Sequence, residues 1–415
     1  MTEQTNKPTG PLAGIKVLDL SRVLAGPWCA QILGDMGAEV IKVEQPGKGD
    51  DTRQWGPPFL PDGSGDSSYY LCANRNKESI AINIADPKGA DLIRELTASS
   101  DIVIENFRVG GLKKYGLDYP SLSAIKPDII YCSITGFGQS GPYRERGGYD
   151  FLIQGMSGLM SVTGRPDDEP GSGPMKVGIP ISDLSTGLYA TIAILGALHH
   201  RNMTGEGQQI DCALLDSQVA LLANQASNWL NGGVTPKRLG NQHPNTVPYQ
   251  DFSCADSDVL VALGNDRQFR GFCDLIGRPD IPDDPRFVAN SDRSINRNQL
   301  LNEMRPAVAK WQSADLIAAM RKARLPGGKV NEIPEILTDP QIEARELVHN
   351  LPRKDGTPIK FLGFPPKYAK TPANYRIAPP ECGEHSRLVL ARRLGLSEQQ
   401  IEYLIETGVV GDGET

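Results

Sequence analysis

The sequence predicts an α/β protein whose main domain is built on a parallel, doubly wound sheet. Two observations support this: short apolar, β-branched runs bounded by turn residues, and segments of helical character between successive runs. The runs are GIKVLDLS (14–21), AEVIKVEQ (38–45), SIAINI (79–84), DIVIENF (101–107) and DIIYCSITG (128–136). Strands that alternate with helices favour parallel pairing, because each helical crossover returns the chain to the same end of the sheet.

A long helix is predicted after these strands from the spacing of apolar residues. Leu184, Leu188, Ile192 and Leu195 recur at helical intervals, so residues 183–202 are expected to form one helix with a buried stripe. A strand-like segment and a further helix follow, and the chain then becomes polar and contains Gly and Pro. Shorter strand and helix patterns beyond that point indicate a second, smaller domain.

These patterns divide the chain into four segments. Residues 1–205 form the first part of a large domain, and residues 206–248 form a linker helix region. Residues 249–328 form a small α+β domain, and residues 329–415 return to complete the large domain. A chain of 415 residues is long enough for this arrangement, since single domains usually hold about 100–200 residues.

Composition and charge restrict the function classes. With 39% hydrophobic and 22% charged residues, the chain is typical of a soluble globular protein. Its formal net charge of −7 argues against binding nucleic acid or an anionic membrane through bulk charge. The N-terminal segment has no apolar signal region, and no apolar run approaches the roughly 18 residues that span a bilayer. We therefore expect a soluble, cytoplasmic protein.

Neither the cysteines nor the histidines indicate a metal site. The seven cysteines are odd in number and scattered, without a C-x-x-C pair, which favours reduced thiols. The five histidines show no metal-binding spacing, and His199 and His200 are expected to cap the long helix. His243 lies in a predicted loop and is retained as a candidate site residue. A loop histidine bonded to backbone is the alternative interpretation.

The segment GFGQSG (136–141) matches the dinucleotide-binding pattern G-x-G-x-x-G and follows a predicted strand. In a dinucleotide site that pattern opens directly into a helix, whose N-terminus holds the pyrophosphate. Here Pro142 and a loop-like segment follow. We therefore expect these glycines to shape a loop.

Basic residues are grouped in the first third of the chain. They are Arg22, Lys42, Arg53, Arg75, Lys77, Arg108, Lys113 and Lys114. Several lie at or just beyond the carboxyl ends of predicted strands, where open α/β sheets bind ligands. As a group they predict a site for a polyanionic small molecule, although each one alone is equally typical of solvated surface.

Asp183 immediately precedes the apolar stripe of the long helix, and two interpretations apply to it. An aspartate at a helix N-terminus commonly caps the free N–H groups. A carboxylate held at such a position is also suited to act as a nucleophile in acyl transfer. The residues around it leave both open.

Several longer motifs together resemble the class III coenzyme A transferases, the CaiB/BaiF or formyl-CoA transferase-like family. The resemblance covers essentially the whole chain. Its motifs are PLAGIKVLDLSRVLAGPWCAQILGDMGAEVIKVEQPGKGDDTR, NRNKESIAINIADPKG, DIVIENFRVGGLKKYGLDY, SITGFGQSGPYRERGGYDFLIQGMSGLMSVTG, GIPISDLSTGLYATIAILGAL and LPGGKVNEIPEILTDPQI.

The resemblance implies a Rossmann-like large domain, a smaller α+β domain, and a homodimer of two ring-like chains threaded through each other. It implies CoA and acyl-CoA as substrates, with no tightly bound cofactor and no metal. The expected partners are an acyl-CoA donor and a carboxylic acid acceptor, with no nucleic acid and no membrane.

By the same resemblance, Asp183 is the catalytic carboxylate. It would attack the donor thioester to give a mixed anhydride and a CoA thiolate, which would then form an aspartyl-CoA thioester. The acceptor carboxylate would attack that thioester, and CoA would return to the activated acceptor. This is nucleophilic catalysis that depends on the exclusion of water.

The family match also assigns the binding residues. Residues expected at the CoA site are Arg22, Val23, Leu24, Ala25, Gln45, Asn106, Phe107, Arg108, Lys114 and Tyr149. Arg53 and His243 are the candidates for contacts to the acceptor substrate.

Departures from the family pattern narrow the substrate. Ala85 stands where many relatives carry a lysine near the CoA adenine and phosphate, which puts that contact in doubt. The glycine-run loop of formyl-CoA:oxalate transferases is missing, and RLGNQHPNTVPYQDF and ALGNDRQF stand in its region. These segments resemble the succinyl-CoA-dependent dicarboxylate transferases, such as glutarate transferases. We therefore expect CoA transfer from succinyl-CoA or a similar short acyl-CoA to a small dicarboxylate.

Two alternative functions remain. The fold is shared with α-methylacyl-CoA racemases, but Tyr149 occupies the position of the racemase histidine, and a phenol is a poor base at neutral pH. A protein that binds acyl-CoA without turnover is the other alternative, and in it Asp183 would be only a helix cap.

Overall fold

The computed structural model describes residues 9–61 and 63–413, which form two compact units. The large unit comprises the chain up to Leu159, Val177–Leu222 and the chain from Ile342 onward; the small unit comprises Met160–Lys176 and Ala223–Gln341. The protein is therefore a mixed α/β chain whose large unit is assembled from separate segments, as the sequence predicts.

The strands and helices have the following bounds. The strands are β1 (Lys16–Asp19), β2 (Glu39–Glu44), β3 (Lys77–Ile82), β4 (Ile102–Glu105), β5 (Ile130–Thr135), β6 (Gln208–Ala213), β7 (Tyr249–Ser253), β8 (Asp258–Ala262), β9 (Gly327–Gly328), β10 (Val348–Pro352), β11 (Pro358–Leu362) and β12 (Val410–Gly411). The helices are α1 (Ala25–Asp35), α2 (Ser68–Leu71), α3 (Pro87–Ala98), α4 (Tyr119–Ile125), α5 (Asp150–Met156), α6 (Leu159–Val162), α7 (Ile181–Thr204), α8 (Leu214–Ala220), α9 (Ala223–Gly232), α10 (Asp266–Leu275), α11 (Asn290–Ile295), α12 (Arg297–Val308), α13 (Ser313–Lys322), α14 (Ile333–Leu337), α15 (Pro340–Ala344), α16 (Ser386–Leu394) and α17 (Glu398–Glu406). Short 3-10 helices occur at Asp51–Gln54, Lys113–Tyr115 and Ile281–Asp283.

A sheet with the strand order β12-β3-β2-β1-β4-β5-β6 organises the large unit. The five predicted apolar runs form β1 to β5, and β1 to β6 are parallel to one another. The chain builds outward from β1 to β2 and β3, and then continues from β4 on the other side of β1. Ligands of doubly wound sheets bind at such a switch point, beyond the carboxyl ends of the strands.

Alternate side chains of the central strands pack into two apolar cores, one on each face of the sheet. On β4, Ile102 and Ile104 join the core beneath α1 and α7, whereas Val103 joins the core on the opposite face. On β1, Val17 and Leu18 divide in the same way. This period-two alternation explains why the strands are apolar throughout: parallel strands covered by helices are buried on both faces.

Helix α7 forms where the sequence predicts it, but the predicted stripe is not its buried side: Leu188 and Ile192 are 50% and 63% exposed. Among the helices of residues 9–61 and 63–413, it is the one that is long and apolar enough to span a membrane by length and composition. The helix has 24 residues, in which small residues such as Gly187 and Ala190 alternate with Leu and Ile. For this reason the sequence contains no uninterrupted apolar run at this position. Half of its most apolar window is buried, and the helix packs against α1, α5, α8, β5 and β6, as a core helix does.

The segment after α7 differs from the predicted linker. Strand β6 lies in residues 206–248, yet it pairs with β5 as part of the large sheet. Its Cys212 side chain is buried in the core on one face of the sheet, and the strand is held by a full ladder with β5. The division between the units falls after Leu222. At the other end, β12 adds an antiparallel edge strand beside β3.

The small unit has its own core. Strands β7, β8 and β9 form an antiparallel sheet, which includes the predicted strand pair. Phe269 and Phe272 of α10 pack with Phe252 of β7, Leu300 of α12 and Leu316 of α13 in one buried cluster. Helices packed on an antiparallel sheet give this unit an α+β character.

A candidate acyl-CoA site at the carboxyl ends of the strands

Two adjoining cavities open at the carboxyl edge of the large sheet. The outer cavity, of ≈ 460 Å³, lies beyond β1 to β4 and includes Gln45 and Lys114 in its wall. The Asp183 cavity, of ≈ 190 Å³, extends to the first turn of α7. The residues that line both cavities are Arg22, Phe107 and Arg108. An elongated ligand can therefore occupy both at once.

The residues that the family resemblance assigned to CoA and to catalysis line these cavities. The outer cavity contains Arg22, Gln45, Phe107, Arg108 and Lys114. The Asp183 cavity contains Arg22, Val23, Leu24, Ala25, Asn106, Phe107, Arg108, Tyr149 and Asp183. Ala85 also lies in the outer wall, so a small neutral side chain occupies the position where many relatives have lysine. The structure thus brings the predicted set together.

A reciprocal pair of hydrogen bonds joins the loops that follow β1 and β4. The backbone N–H of Arg22 donates to Asn106 Oδ1 at 2.9 Å, and Asn106 Nδ2 donates to the Arg22 carbonyl at 2.7 Å. The Arg22 guanidinium also lies 5.2 Å from the ring centroid of Phe107, within cation–π range. The wall shared by the two cavities is therefore fixed at the switch point of the sheet.

Asp183 does not cap α7. The N–H of Ser182 donates to Asp150 Oδ1 at 2.8 Å, and the N–H of Asp183 donates to the same oxygen at 3.3 Å. Gln154 Nε2 holds the second oxygen of Asp150 at 2.6 Å. No side chain within residues 9–61 and 63–413 makes a hydrogen bond or ion pair with the Asp183 carboxylate. The capping interpretation therefore belongs to Asp150, and Asp183 is left facing the cavity.

The surroundings of Asp183 change its acidity. Burial, and after it the negative charge of Asp150, raises the pKa of Asp183 to about 7. A carboxylate with a raised pKa is a stronger base and a better nucleophile than an ordinary surface aspartate. Tyr69 of α2 is affected by the same charge, because burial and, after it, the charge of Asp183 raise the pKa of the Tyr69 hydroxyl.

Arginines surround the nucleophile candidate. Arg108, Arg144 and Arg146 line the Asp183 cavity together with Arg22. Arg22 is paired with Asp51 at 3.3 Å and Arg144 with Glu145 at 3.3 Å. Arg146 is held by Phe137 and Tyr143, whose ring centroids lie 5.3 and 4.6 Å from its guanidinium carbon. In the described part of the chain no carboxylate pairs with Arg108 or Arg146. The cavity therefore carries uncompensated positive charge.

The glycine segment 136–141 forms a loop after β5, as the sequence predicts. Gly138 and Gly141 have φ of +87° and +84°, and the next helix begins only at Asp150. A Cβ on Gly136 would lie 2.6 Å from the Cα of Gly148, so the two ends of this loop meet backbone to backbone. The glycines close one wall of the Asp183 cavity and do not form a dinucleotide turn.

Arg53, a predicted contact to the acceptor, lies in a buried network of ion pairs. Its guanidinium is buried, donates to Glu44 at 2.8 and 2.7 Å and to Asp66 at 2.9 Å, and lies over the Tyr70 ring. Arg353 holds the other oxygen of Asp66 at 2.6 Å. Arg53 lines neither the outer cavity nor the Asp183 cavity. It is an ion-paired residue of the fold, and its contact with the acceptor stays a prediction.

The basic residues of the first third of the chain also differ in whether they are buried in ion pairs or open to a cavity. Lys42, Arg75 and Lys77 are buried in ion pairs with acidic residues of the large unit. Arg22, Arg108 and Lys114 face the cavities. Lys42 also lies in the wall of the outer cavity, so the predicted grouping of positive charge divides into buried ion-paired residues and residues exposed to the cavities, which the sequence alone did not separate.

His243 lies in the small unit, so its contact with the acceptor stays a prediction. Its Nδ1 accepts the N–H of Asn245 at 3.1 Å, and its ring packs on Tyr249 at a centroid distance of 5.2 Å. Tyr149, in contrast, lines the Asp183 cavity and is 67% exposed. No histidine lines the Asp183 cavity.

Sequence reasoning missed Asp150, Tyr69, Arg144 and Arg146. Asp150, Arg144 and Arg146 belong to the motif GPYRERGGYD, and their charged side chains next to a predicted loop were a usable signal. Tyr69 belongs to no motif, and only the folded chain brings it near Asp183.

Comparison with known proteins identifies the family of the chain. A family model described as CoA-transferase family III matches residues 12–386. The succinate–glutarate CoA-transferase of Agrobacterium fabrum is 47% identical over 394 residues, which cover 94% of this chain and 97% of that protein. The human succinyl-CoA:glutarate CoA-transferase is 41% identical, with 98% of this chain and 91% of that protein covered. A crystal structure of a CaiB/BaiF family protein from Brucella suis matches with a TM-score of 0.81 at 45% identity, covering 93% of this chain and 100% of that one.

The chain therefore belongs to CoA-transferase family III. It is an enzyme of the class III CoA-transferases, which use CoA thioesters as substrates.

The acidity of Asp183 gives a testable pH dependence. Only the ionised carboxylate is nucleophilic, so kcat/KM for the acyl-CoA donor should fall as the pH drops below about 7, the pKa that burial and Asp150 give Asp183. Asp150→Asn keeps an oxygen acceptor for the α7 amides but removes the negative charge. The midpoint of the profile should therefore move to lower pH. A midpoint that stays in place or moves to higher pH in Asp150→Asn would contradict this assignment.

Proposed function

We propose that this enzyme transfers CoA from succinyl-CoA to a small dicarboxylate, with glutarate as the first acceptor to test. One observation carries the proposal: the Asp183 carboxylate has no hydrogen-bond or ion-pair partner among the described residues and lies in an arginine-lined cavity continuous with the outer one. The two closely similar glutarate CoA-transferases provide the substrate class.

The chemistry proceeds by acyl transfer through Asp183. An Asp183 oxygen attacks the thioester carbon of succinyl-CoA, the C–S bond breaks, and CoA leaves as a thiolate. The thiolate attacks the aspartyl carbon of the resulting anhydride and releases succinate. The acceptor carboxylate attacks the aspartyl carbon of the aspartyl-CoA thioester, the C–S bond breaks, and CoA leaves as a thiolate from a second mixed anhydride. The thiolate then attacks the acceptor's acyl carbon in that anhydride and frees the Asp183 carboxylate. Each step exchanges one acyl bond for another, so no net hydrolysis occurs.

In this proposal the outer cavity holds the nucleotide part of CoA. Lys114 and Arg108 line it and supply positive charge for phosphate groups, while Gln45 lies beside them. Arg108 also lines the Asp183 cavity, so the pantetheine arm runs past it toward Asp183. The thioester is thereby delivered to the nucleophile from the switch point of the sheet.

The unpaired arginines account for a dicarboxylate acceptor. One carboxylate of the acceptor must approach Asp183, where two negative charges repel each other unless cations lie nearby. Arg146 has its guanidinium supported by two aromatic rings and has no carboxylate partner in the described part of the chain. We assign the distal carboxylate of the acceptor to Arg146, since charge-assisted pairing of this kind is directional and strong.

A homodimer fits the apolar surface of the large unit. Leu188 and Ile192 on α7 are 50% and 63% exposed, and Phe151 on the adjoining α5 is 64% exposed. Exposed apolar groups clustered on packed helices are typical of a protein–protein interface. We propose that a second copy of the chain covers them, in the interlocked arrangement that the family resemblance implies. The cytoplasmic location stays a prediction from the sequence.

The first experiment incubates succinyl-CoA with glutarate, malate, itaconate, oxalate or no acceptor, and identifies the CoA esters by mass. We expect a new dicarboxyl-CoA that depends on its acceptor. Asp183→Ala should fold normally and lose transfer by about 10⁴-fold or more, because it removes the nucleophile itself. Transfer that survives in Asp183→Ala would contradict the mechanism. Deuterium incorporation at the α-carbon without acceptor would instead favour a racemase, and binding without any exchange would favour a carrier.

The role of Arg146 is tested by acceptor selectivity. Arg146→Met should lower kcat/KM for glutarate by about tenfold or more, because a charge-assisted hydrogen bond contributes about 1.5–3 kcal/mol. The same variant should use pentanoate, which lacks the distal carboxylate, as well as the unmodified enzyme does. Arg144→Met is the matched control, since Arg144 is already paired with Glu145. An equal loss for glutarate and pentanoate in Arg146→Met would refute this assignment.

A further inference from the structure

The turn that connects β1 to α1 contains a strained residue. Val23 has φ of +70°, a left-handed conformation that a β-branched residue rarely adopts. Val23 lies between Arg22 and Leu24 in the wall of the Asp183 cavity, and α1 begins two residues later at Ala25. Such a conformation persists only where the surrounding structure holds it.

Asp50, in the loop after β2, holds Val23 in this conformation. The backbone N–H of Val23 donates to both oxygens of the Asp50 carboxylate, at 3.2 and 3.3 Å. Thr52 donates its N–H and its hydroxyl to Asp50 Oδ1 at 3.0 and 2.8 Å. The contacts come from a residue that is 27 positions away in sequence, so they fix the turn from outside its own segment.

Lys42 keeps the Asp50 carboxylate ionised and in place. Lys42 Nζ donates to Asp50 Oδ2 at 2.8 Å and to the Ser21 carbonyl at 3.0 Å, and both side chains of the ion pair are fully buried. Burial alone would raise the pKa of Asp50, but the charge and hydrogen bond of Lys42 outweigh it and lower that pKa to about 2. Lys42 thus joins Asp50 to the backbone of Ser21, two residues before Val23.

Lys42 and Asp50 lie in the wall of the outer cavity, but both side chains are fully buried against each other and against the turn. A buried ion pair is a weak source of net stability, since the cost of removing two charges from water offsets most of their attraction. A buried ion pair can instead hold the chain in a conformation that it would not otherwise keep. The imposed conformation here belongs to the turn that separates the two cavities.

We propose that the buried Lys42–Asp50 pair is a positioning device that holds Val23 in its left-handed conformation and thereby shapes the Arg22–Ala25 turn for acyl-CoA. This inference rests on the proposed function, because it takes the two cavities to be the acyl-CoA site. Asp50 and Lys42 are positioning residues, and the backbone of the turn is what meets the ligand.

A cycle of variants tests the device through rescue. Asp50→Ala with Lys42→Met removes both buried charges together and should weaken CoA binding, measured by calorimetry, by about tenfold, within the usual coupling range of contacting residues. Adding Val23→Gly to this pair should recover most of the affinity, because glycine adopts positive φ without an anchor. Val23→Gly alone supplies the reference affinity, which the triple variant should approach if glycine makes the anchor unnecessary.

The matched control removes another buried ion pair of the same unit. Asp35→Ala with Arg75→Met deletes a pair that lines neither cavity, so it should lower the melting temperature and leave the CoA affinity unchanged. If Asp50→Ala with Lys42→Met fails to fold, Asp50→Asn, alone and with Val23→Gly, provides the same comparison with one charge removed.

The outcomes separate the two hypotheses. If the unmodified protein does not bind CoA, the proposed function fails. If it binds CoA but the folded Asp50 variants bind equally well, or if Val23→Gly gives no recovery, the positioning device is refuted while the proposed function stands. Weakened binding that Val23→Gly restores supports the device, since a purely structural role would lower stability without this rescue.

Discussion

The arrangement of two aspartates at the start of α7 is the constraint on which the site depends. Asp150 takes the free amides of the helix, and this leaves Asp183 without a capping role. Burial, and after it the negative charge of Asp150, raises the pKa of Asp183. Other parts of the unit support a reactive carboxylate at this point. The helix is fixed, the glycine loop closes one wall of the cavity, and nearby arginines balance the negative charge.

Much of the fold could be predicted from the sequence, because local patterns determine it. The strands β1 to β5 are apolar runs bounded by turns, and the helical spacing of Leu184, Leu188, Ile192 and Leu195 predicts α7. The predicted burial of that stripe is wrong, because the helix buries other residues such as Gly187, Ala190 and Ile194. Strand β6 was assigned to a linker because its membership of the sheet depends on pairing with β5, which no local pattern reveals. The cavity-lining set came from family motifs and not from residue spacing.

The remaining site features depend on long-range pairing. Arg53 and Arg108 are both basic residues near strand ends, yet Arg53 is held by Glu44 and by Asp66, which in turn pairs with Arg353 at 287 positions from it in sequence. Which arginine is neutralised and which faces a ligand is decided by these partners. Asp150 could not be predicted for the same reason. Its side chain accepts from amides of α7, which begins at Ile181, 31 residues further along the chain.

The central claim is that Asp183 becomes covalently acylated during turnover. The most direct measurement is to incubate the enzyme with succinyl-CoA and hydroxylamine, digest it, and determine by mass which carboxylate has become a hydroxamate. The account predicts modification at Asp183 that requires succinyl-CoA and is suppressed when excess acceptor is added. Turnover that proceeds while Asp183 remains unmodified, or modification of a different carboxylate, would contradict it.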